Sequence, residues 1–301
     1  MFDPETGEFR PAGDLAGFRD DHGAVLLSDG RVLLAGGWGS EGVLTSTELY
    51  EPGPRTFSEG PAMTSPRAGF TAVLLADGQI LLAGGFLDNE PTTATADLFD
   101  PERDAITETG SMREPRGAYA AARLSDGRVL IAGGLSRGSV VASAEIYDPV
   151  TGRFEQTDSM DIPRYKSAAV ALPGGTIMVV GGAGDVDGNR LYASTEIYDP
   201  ERGTFSPGPS MRWPRYKLAG SVVSLRDGSV FVAGGAPQAE RFDPGSGRFE
   251  AVLGDLQGDR LFLAAAVAGH RDVLITGGYD DLIIPTDQAW LYRPEATARQ
   301  G

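Results

Sequence analysis

The chain has 301 residues, enough for a sizeable core, and its 41% hydrophobic content supports a folded globule. With 26 basic against 42 acidic side chains its formal charge is −16, a surface that repels phosphate backbones and anionic bilayers, so neither nucleic acid nor membrane is an expected partner. Cysteine is absent, which excludes disulfides, thiolate metal sites and a cysteine nucleophile.

Phe2-Asp3-Pro4 opens the chain with an aromatic–x–proline mark that returns six times, ending at Tyr292-Arg293-Pro294. The first complete unit follows. It begins at Arg19, runs through two apolar segments joined by Asp29-Gly30, and closes that hairpin with Gly36-Gly37. Asp-Gly between apolar runs is a strong hairpin signal, because the turn needs a residue that tolerates positive φ. A third strand ends at Tyr50-Glu51-Pro52, and a fourth begins near Phe57.

The same order repeats down the chain. The double glycines fall at 36, 84, 133, 181, 234 and 277, with spacings of 48, 49, 48, 53 and 43. A period of that size calls for a repeat architecture. Arg19, Arg67, Arg116, Arg164 and Arg260 each stand 17 residues ahead of their glycine pair, and Arg215 stands 19 ahead. An insertion of two preserves which face each side chain points to, so the inner strand is expected to absorb it. No helical periodicity competes, and the chain reads as all-β.

The double glycine, the downstream aromatic-Asp-Pro and the Pro-Arg opening of the next unit resemble the kelch repeat across nearly the whole length. That resemblance implies a six-bladed kelch-type β-propeller, one four-stranded blade per unit around a central channel. It also implies a choice of functions, since the family includes protein-interaction modules, copper-radical oxidases, a sialic-acid mutarotase and plant specifier proteins. The oxidase chemistry is excluded by the missing cysteine and by a histidine count of two. The specifier pattern of Glu, Asp and His at four-residue steps is also absent. The extra aromatic–x–proline mark suggests a ring closed by the two chain ends. Residues 1–15 would then supply the outer strand of the last blade through Gly7–Gly13, with 295–301 left as a tail to a single domain spanning 1–301.

Six arginines at one rim would repel each other by roughly 1.7 kcal/mol per neighbouring pair at about 10 Å and an effective dielectric near 20. An acid stands two residues before each third-strand aromatic, at Glu48, Asp97, Glu145, Glu196 and Glu240, whereas blade six has Trp290 there. The arginines therefore read as clamps on these carboxylates, five acids for six arginines, leaving without a partner whichever arginine the sixth blade's missing acid would have paired.

Departures from the repeat are better candidates for function. Only two lysines occur, Lys166 and Lys217, at the same place in "PRYKS" and "PRYKL". Blade one carries Arg19-Asp20-Asp21-His22, paired carboxylates beside a histidine. Adjacent strand residues point to opposite faces, so Asp20 and His22 are expected on one side and Asp21 on the other. Candidate catalytic groups are Asp20, Asp21, His22, Lys166 and Lys217. Candidate ligand contacts are Arg19, Arg164, Tyr165, Lys166, Trp213, Arg215, Tyr216, Lys217 and Arg260. No metal site and no cofactor is expected; Asp185-Val186-Asp187-Gly188-Asn189 resembles part of a calcium loop but lacks the later bidentate acid. His270, in the outward turn of blade six, is expected to have no functional role.

The rim loops Phe86–Thr93, Ala183–Tyr192 and Tyr279–Pro285 are long, while blade five has almost none. A notch is therefore expected beside Trp213, Tyr216 and Lys217. Two functions fit. One is a binding module for a small anionic or polar ligand or an acidic peptide. The other is a metal-independent isomerase, lyase or cyclase, which needs the acids of blade one and the lysines of blades four and five to converge within one ligand's reach. A monomer is expected. With no basic-then-apolar leader before Phe2, a cytoplasmic location is expected if Met1 is the native start, a secreted or excised domain being the alternative.

Overall fold

The Asp-Gly pairs do close hairpins, through a three-residue turn rather than a two-residue one. In blade one Gly30 donates to the Leu27 carbonyl and Leu27 to that of Arg31, with Gly30 at φ 92°. This is a type I turn followed by a left-handed glycine. The aspartate earns its place by accepting a bond from the backbone two residues on, as Asp29 does from Arg31, Asp77 from Gln79, Asp126 from Arg128 and Asp227 from Ser229.

These hairpins build six antiparallel blades in a computed structural model that describes residues 1–88, 91–269 and 272–294. Blade two, with Thr71–Leu74, Ile80–Ala83, Ala96–Asp100 and Ala105–Glu108 paired in chain order, represents the first five. In blades two to five the second strands are fully buried because both faces are covered by neighbouring blades. The core is accordingly distributed as five apolar clusters, one at each interface from blades one–two to blades five–six. The third and fourth strands join through stacked aromatics, such as Tyr147 on Phe154 at 4.8 Å and Tyr198 on Phe205 at 4.8 Å.

The double glycines hold blade to blade. The amide of the second glycine donates to the carbonyl of the next blade's arginine: Gly37 to Arg67, Gly85 to Arg116, Gly134 to Arg164, Gly182 to Arg215 and Gly235 to Arg260. A Cβ on Gly84 would lie 2.5 Å from the Arg116 carbonyl oxygen, so both the positive φ and the close approach require glycine there. At the seam between blades six and one the series stops. Among the described residues Gly278 makes no such bond to Arg19, no buried apolar cluster spans the seam, and a Cβ on Gly277 would meet nothing within 4 Å.

Two expectations change here. The two extra residues of blade five are not absorbed by its inner strand. They form a turn at Leu218–Ser221 ahead of Val222–Ser224, with Gly220 at φ 76° and Ser221 donating to the Leu218 carbonyl. A bulge there keeps the strand's alternation intact at lower cost than a longer hairpin. The second change concerns closure. Glu8–Phe9 pairs back on Phe2–Asp3, and among the described residues blade six has three strands, Ala264–Ala268, Asp272–Thr276 and Ala289–Tyr292. Along its free edge at Leu291–Pro294 runs a groove of about 1130 Å³, walled on the far side by Glu250–Leu253 of blade five. The expectations for His270, for Asn89 and Glu90 in the blade-two loop and for the 295–301 tail lie outside the described residues.

Candidate ligand site at the channel mouth

Five of the six repeated arginines are internal clamps. Arg67 is representative: one guanidinium nitrogen donates to the carbonyls of Gly84 (2.8 Å) and Thr95 (2.9 Å), and the other pairs with Asp97 at 3.1 Å, both side chains fully buried. Arg19–Glu48, Arg116–Glu145, Arg164–Glu196 and Arg215–Glu240 repeat the pattern. Each carboxylate also accepts from the backbone amide three residues before its arginine, as Glu145 does from Arg113 and Glu196 from Asp161. Arg19, Arg164 and Arg215, expected among the ligand contacts, are buried and paired with their carboxylates, Arg19 leaving its Nε without a partner among the described residues. Arg260, opposite Trp290, reaches only Asp280 at 3.9 Å, in the rim loop of its own blade. Trp213 lies against Arg212 (4.9 Å) and Arg215 (5.7 Å), and its role is in packing.

Two residues beyond each arginine the backbone turns left-handed in all six blades. Asp21, Gly69, Ala118, Lys166, Lys217 and Phe262 have φ between 50° and 58°. For a residue with a Cβ this costs roughly 1–2 kcal/mol, so something must hold it. A run of bonds between blades does so at four points: Gly69 donates to Asp21, Ala118 to Gly69, Lys166 to Ala118 and Leu218 to Lys166, all backbone to backbone. The consequence is that one residue from each blade is brought to the same opening. All six line a cavity of about 70 Å³, together with His22, Tyr119 and Ser167.

Within that cavity the exceptions to the repeat meet. Nζ of Lys166 lies 4.8 Å from the centroid of Tyr165 and 5.3 Å from that of Phe262. Nζ of Lys217 lies 5.5 Å from the same Phe262 ring and 5.0 Å from both Tyr216 and Tyr279, and it donates to the Tyr279 hydroxyl at 2.9 Å. Among the described residues Lys166 has neither a hydrogen-bond nor an ion-pair partner at its nitrogen.

The electrostatics separate the two lysines. Burial and the neighbouring Lys217 push the Lys166 pKa down. Burial works against the Lys217 cation too, but hydrogen bonds to Tyr279 and Tyr216 and the charges of the same phenols raise its pKa above the ordinary value. Asp21 is pushed up by burial and by Asp20, against the opposing pull of both lysines. Burial, with the charge of Asp21, raises the Tyr165 phenol to about 12. His22 is held neutral more firmly than a free imidazole by burial and by Arg19, and its Nδ1 is buried without a partner.

Asp21 and His22 thus enter the cavity while Asp20 is exposed, its backbone bridging to Trp38. The expected strand alternation fails because Asp21 is left-handed, which puts His22 with Asp21 rather than with Asp20. The notch beside blade five is partly covered, since Gly188 of the blade-four loop approaches the Tyr216 ring. In that loop the Asp185 carboxylate is taken by the amides of Asn189 and Arg190, and among the described residues no cluster of acids and histidines could hold a metal. Phe262 and Tyr279 were not singled out by sequence. Their signals were position: Phe262 stands two after Arg260, and Tyr279 follows a double glycine as Trp38 and Phe86 do.

Six blades with a polar cavity at one channel mouth define a β-propeller. The Kelch motif is matched at residues 116–160 and 164–212, the third and fourth of the six repeats that form this propeller. Among solved structures, that of YjhT is similar, with a TM-score of 0.73 over 94% of this chain and 96% of that one; at 13% identity this is a likeness of fold. No curated protein sequence matches the chain.

Proposed function

We propose that this propeller binds a small carboxylate, or an anion of similar size, at the channel mouth. The observation that carries the reading is the convergence of Lys166 and Lys217 on one aromatic floor, in a protein otherwise strongly acidic. Phe262 gives the anion's carbon skeleton an apolar surface, and Lys217, already oriented by Tyr279, gives it a fixed charge. The cavity is too small for a drug-sized ligand, so an acidic peptide would have to enter by one side chain.

Titration calorimetry with a panel of small carboxylates tests this. A charge-assisted hydrogen bond contributes about 1.5–3 kcal/mol, so Lys217→Met should weaken binding roughly ten- to hundredfold at unchanged thermal stability. No heat from any carboxylate, or binding indifferent to both Lys166→Met and Lys217→Met, would sink the reading.

A pH dependence follows from Asp21. Above its raised pKa it is an anion lining the cavity with Lys166, Lys217, His22 and Tyr119, its charge disfavoured by Asp20 and favoured by the two lysines. Below that pKa it is neutral. Affinity should therefore rise as pH falls through the Asp21 titration, until the ligand's own carboxylate protonates. Asp21→Asn should bind more tightly at neutral pH and lose most of that dependence; an unchanged profile would remove Asp21 from the site.

A further inference from the structure

Among the described residues Lys166 is a half-buried amine with no hydrogen-bond acceptor, in a cavity shared with a second cation and a carboxyl group. Its environment differs from that of Lys217 in one decisive respect. Lys217 donates a hydrogen bond to Tyr279, whereas the Lys166 nitrogen lies over the aromatic rings of Tyr165 and Phe262 with no hydrogen-bond acceptor among the described residues. An ammonium gains modestly from such rings, and it pays for desolvation and for the neighbouring charge. Both penalties vanish when the nitrogen is neutral, and a neutral lysine amine is a nucleophile toward carbonyl carbon.

We propose that Lys166 forms an imine with a small oxo acid, one whose carboxylate is held by Lys217. This rests on the anion-site reading and narrows the ligand to a carbonyl-bearing carboxylate of about three or four carbons, the scale of the cavity. The step balances within the site. The Lys166 nitrogen lone pair attacks the carbonyl carbon, and the carbonyl π pair moves to oxygen, which takes up a proton. That proton is the one the attacking nitrogen loses, so its transfer from nitrogen to oxygen gives the neutral carbinolamine. Asp21 in its acid form gives a proton to the departing hydroxyl, which leaves as water while the nitrogen pair forms the C=N bond. The product is a protonated imine beside the Asp21 carboxylate, so the positive charge created at nitrogen appears opposite a negative one. The lowered basicity of Lys166 enlarges its neutral fraction and the raised pKa of Asp21 enlarges its acid fraction, each relative to the free side chain.

The groups that face Lys166 and set its titration are Asp21 from blade one, Lys217 and Tyr216 from blade five, Tyr279 from blade six and its own neighbour Tyr165. The aromatic floor at Phe262 is apolar and adds no charge.

The test uses the intact chain and pyruvate with sodium cyanoborohydride, which reduces an imine to a stable secondary amine. Peptide mapping by mass spectrometry then locates the adduct among three amines, Lys166, Lys217 and the terminus of Met1. The expected result is labelling of Lys166 alone, lost in Lys166→Arg and persisting to lower pH than labelling of a free lysine. Labelling at Lys217 or Met1 instead, or no label, overturns the proposal. Lactate, which has the carboxylate and no carbonyl, separates the two ideas. Lactate binding without a pyruvate adduct retires the imine and keeps the anion site; failure of lactate to bind or to compete removes the anion site as well.

Discussion

Asp97→Ala is expected to destabilise the protein by about 3–5 kcal/mol, the cost of leaving a buried charge without its partner. Arg67 and Asp97 are both fully buried, and burial already outweighs the carboxylate's support for the Arg67 cation. Removing the carboxylate also strips the Thr64 amide and hydroxyl of their acceptor. Arg67→Met should cost a comparable amount by the opposite route. It leaves a buried carboxylate, and it takes the guanidinium donor from the Gly84 carbonyl and one of two donors from the Thr95 carbonyl, which still accepts from the Gly84 amide. Blade six supplies the control. Among the described residues the ion-pair partner of Arg260 is Asp280 at 3.9 Å, a long contact that leaves no tightly paired carboxylate to orphan, so Arg260→Met should cost less than Arg67→Met. Urea unfolding of the three variants measures this. Equal losses at blades two and six would mean that the carboxylate is not what the repeated arginine needs.

The clamp was legible in the sequence because it repeats. An arginine 17 residues before a glycine pair and an acid two before an aromatic define positions, and positions repeated five times fix a geometry. The same logic made blade number and hairpin order readable. What could not be read was the left-handed residue two after each arginine. Four different side chains, lysine twice, and one glycine stand there, Asp21, Gly69, Ala118, Lys166, Lys217 and Phe262, so composition carries no common mark. Its conformation comes largely from bonds between blades, which are tertiary and have no local signature. That residue decides which side chains meet. It brings Asp21, and leaves Asp20 out, by breaking the alternation on which strand reasoning depends. It also gathers Phe262 and both lysines into one cavity from three separate blades. The two lysines were legible as exceptions, and their shared ring was not.

The open seam leads to the other large effect. In five blades the third-strand aromatic faces a fixed fourth-strand partner: Tyr50 faces Phe57, Phe99 faces Ile106, Tyr147 faces Phe154, Tyr198 faces Phe205 and Phe242 faces Phe249. Tyr292 has no fourth strand and rests on Phe231 of blade five instead. Meanwhile Phe9 faces Phe2 at 5.1 Å and 51°, nearly the geometry of the Tyr50 and Tyr198 pairs. The N-terminal hairpin therefore already has the shape of an outer half-blade, and exchanging Phe2 for Tyr292 as the partner of Phe9 would fill the groove beside Leu291–Pro294. Because the chain has no cysteine, a pair introduced at Phe9 and Tyr292 can bond only with each other. Directly opposed strand residues have Cα atoms about 4.5–5.5 Å apart, within the range a disulfide spans. If the strand is donated, Phe9→Cys with Tyr292→Cys should oxidise within one chain and stabilise the ring by about 2–5 kcal/mol, since it closes a loop of nearly the whole sequence. Deleting residues 1–15 should then lower the melting temperature, whereas a truncated chain of full stability speaks against any closing role. Disulfide-linked dimers would show that the strand is exchanged between two copies, and a pair that stays reduced would show that blade six is completed by neither.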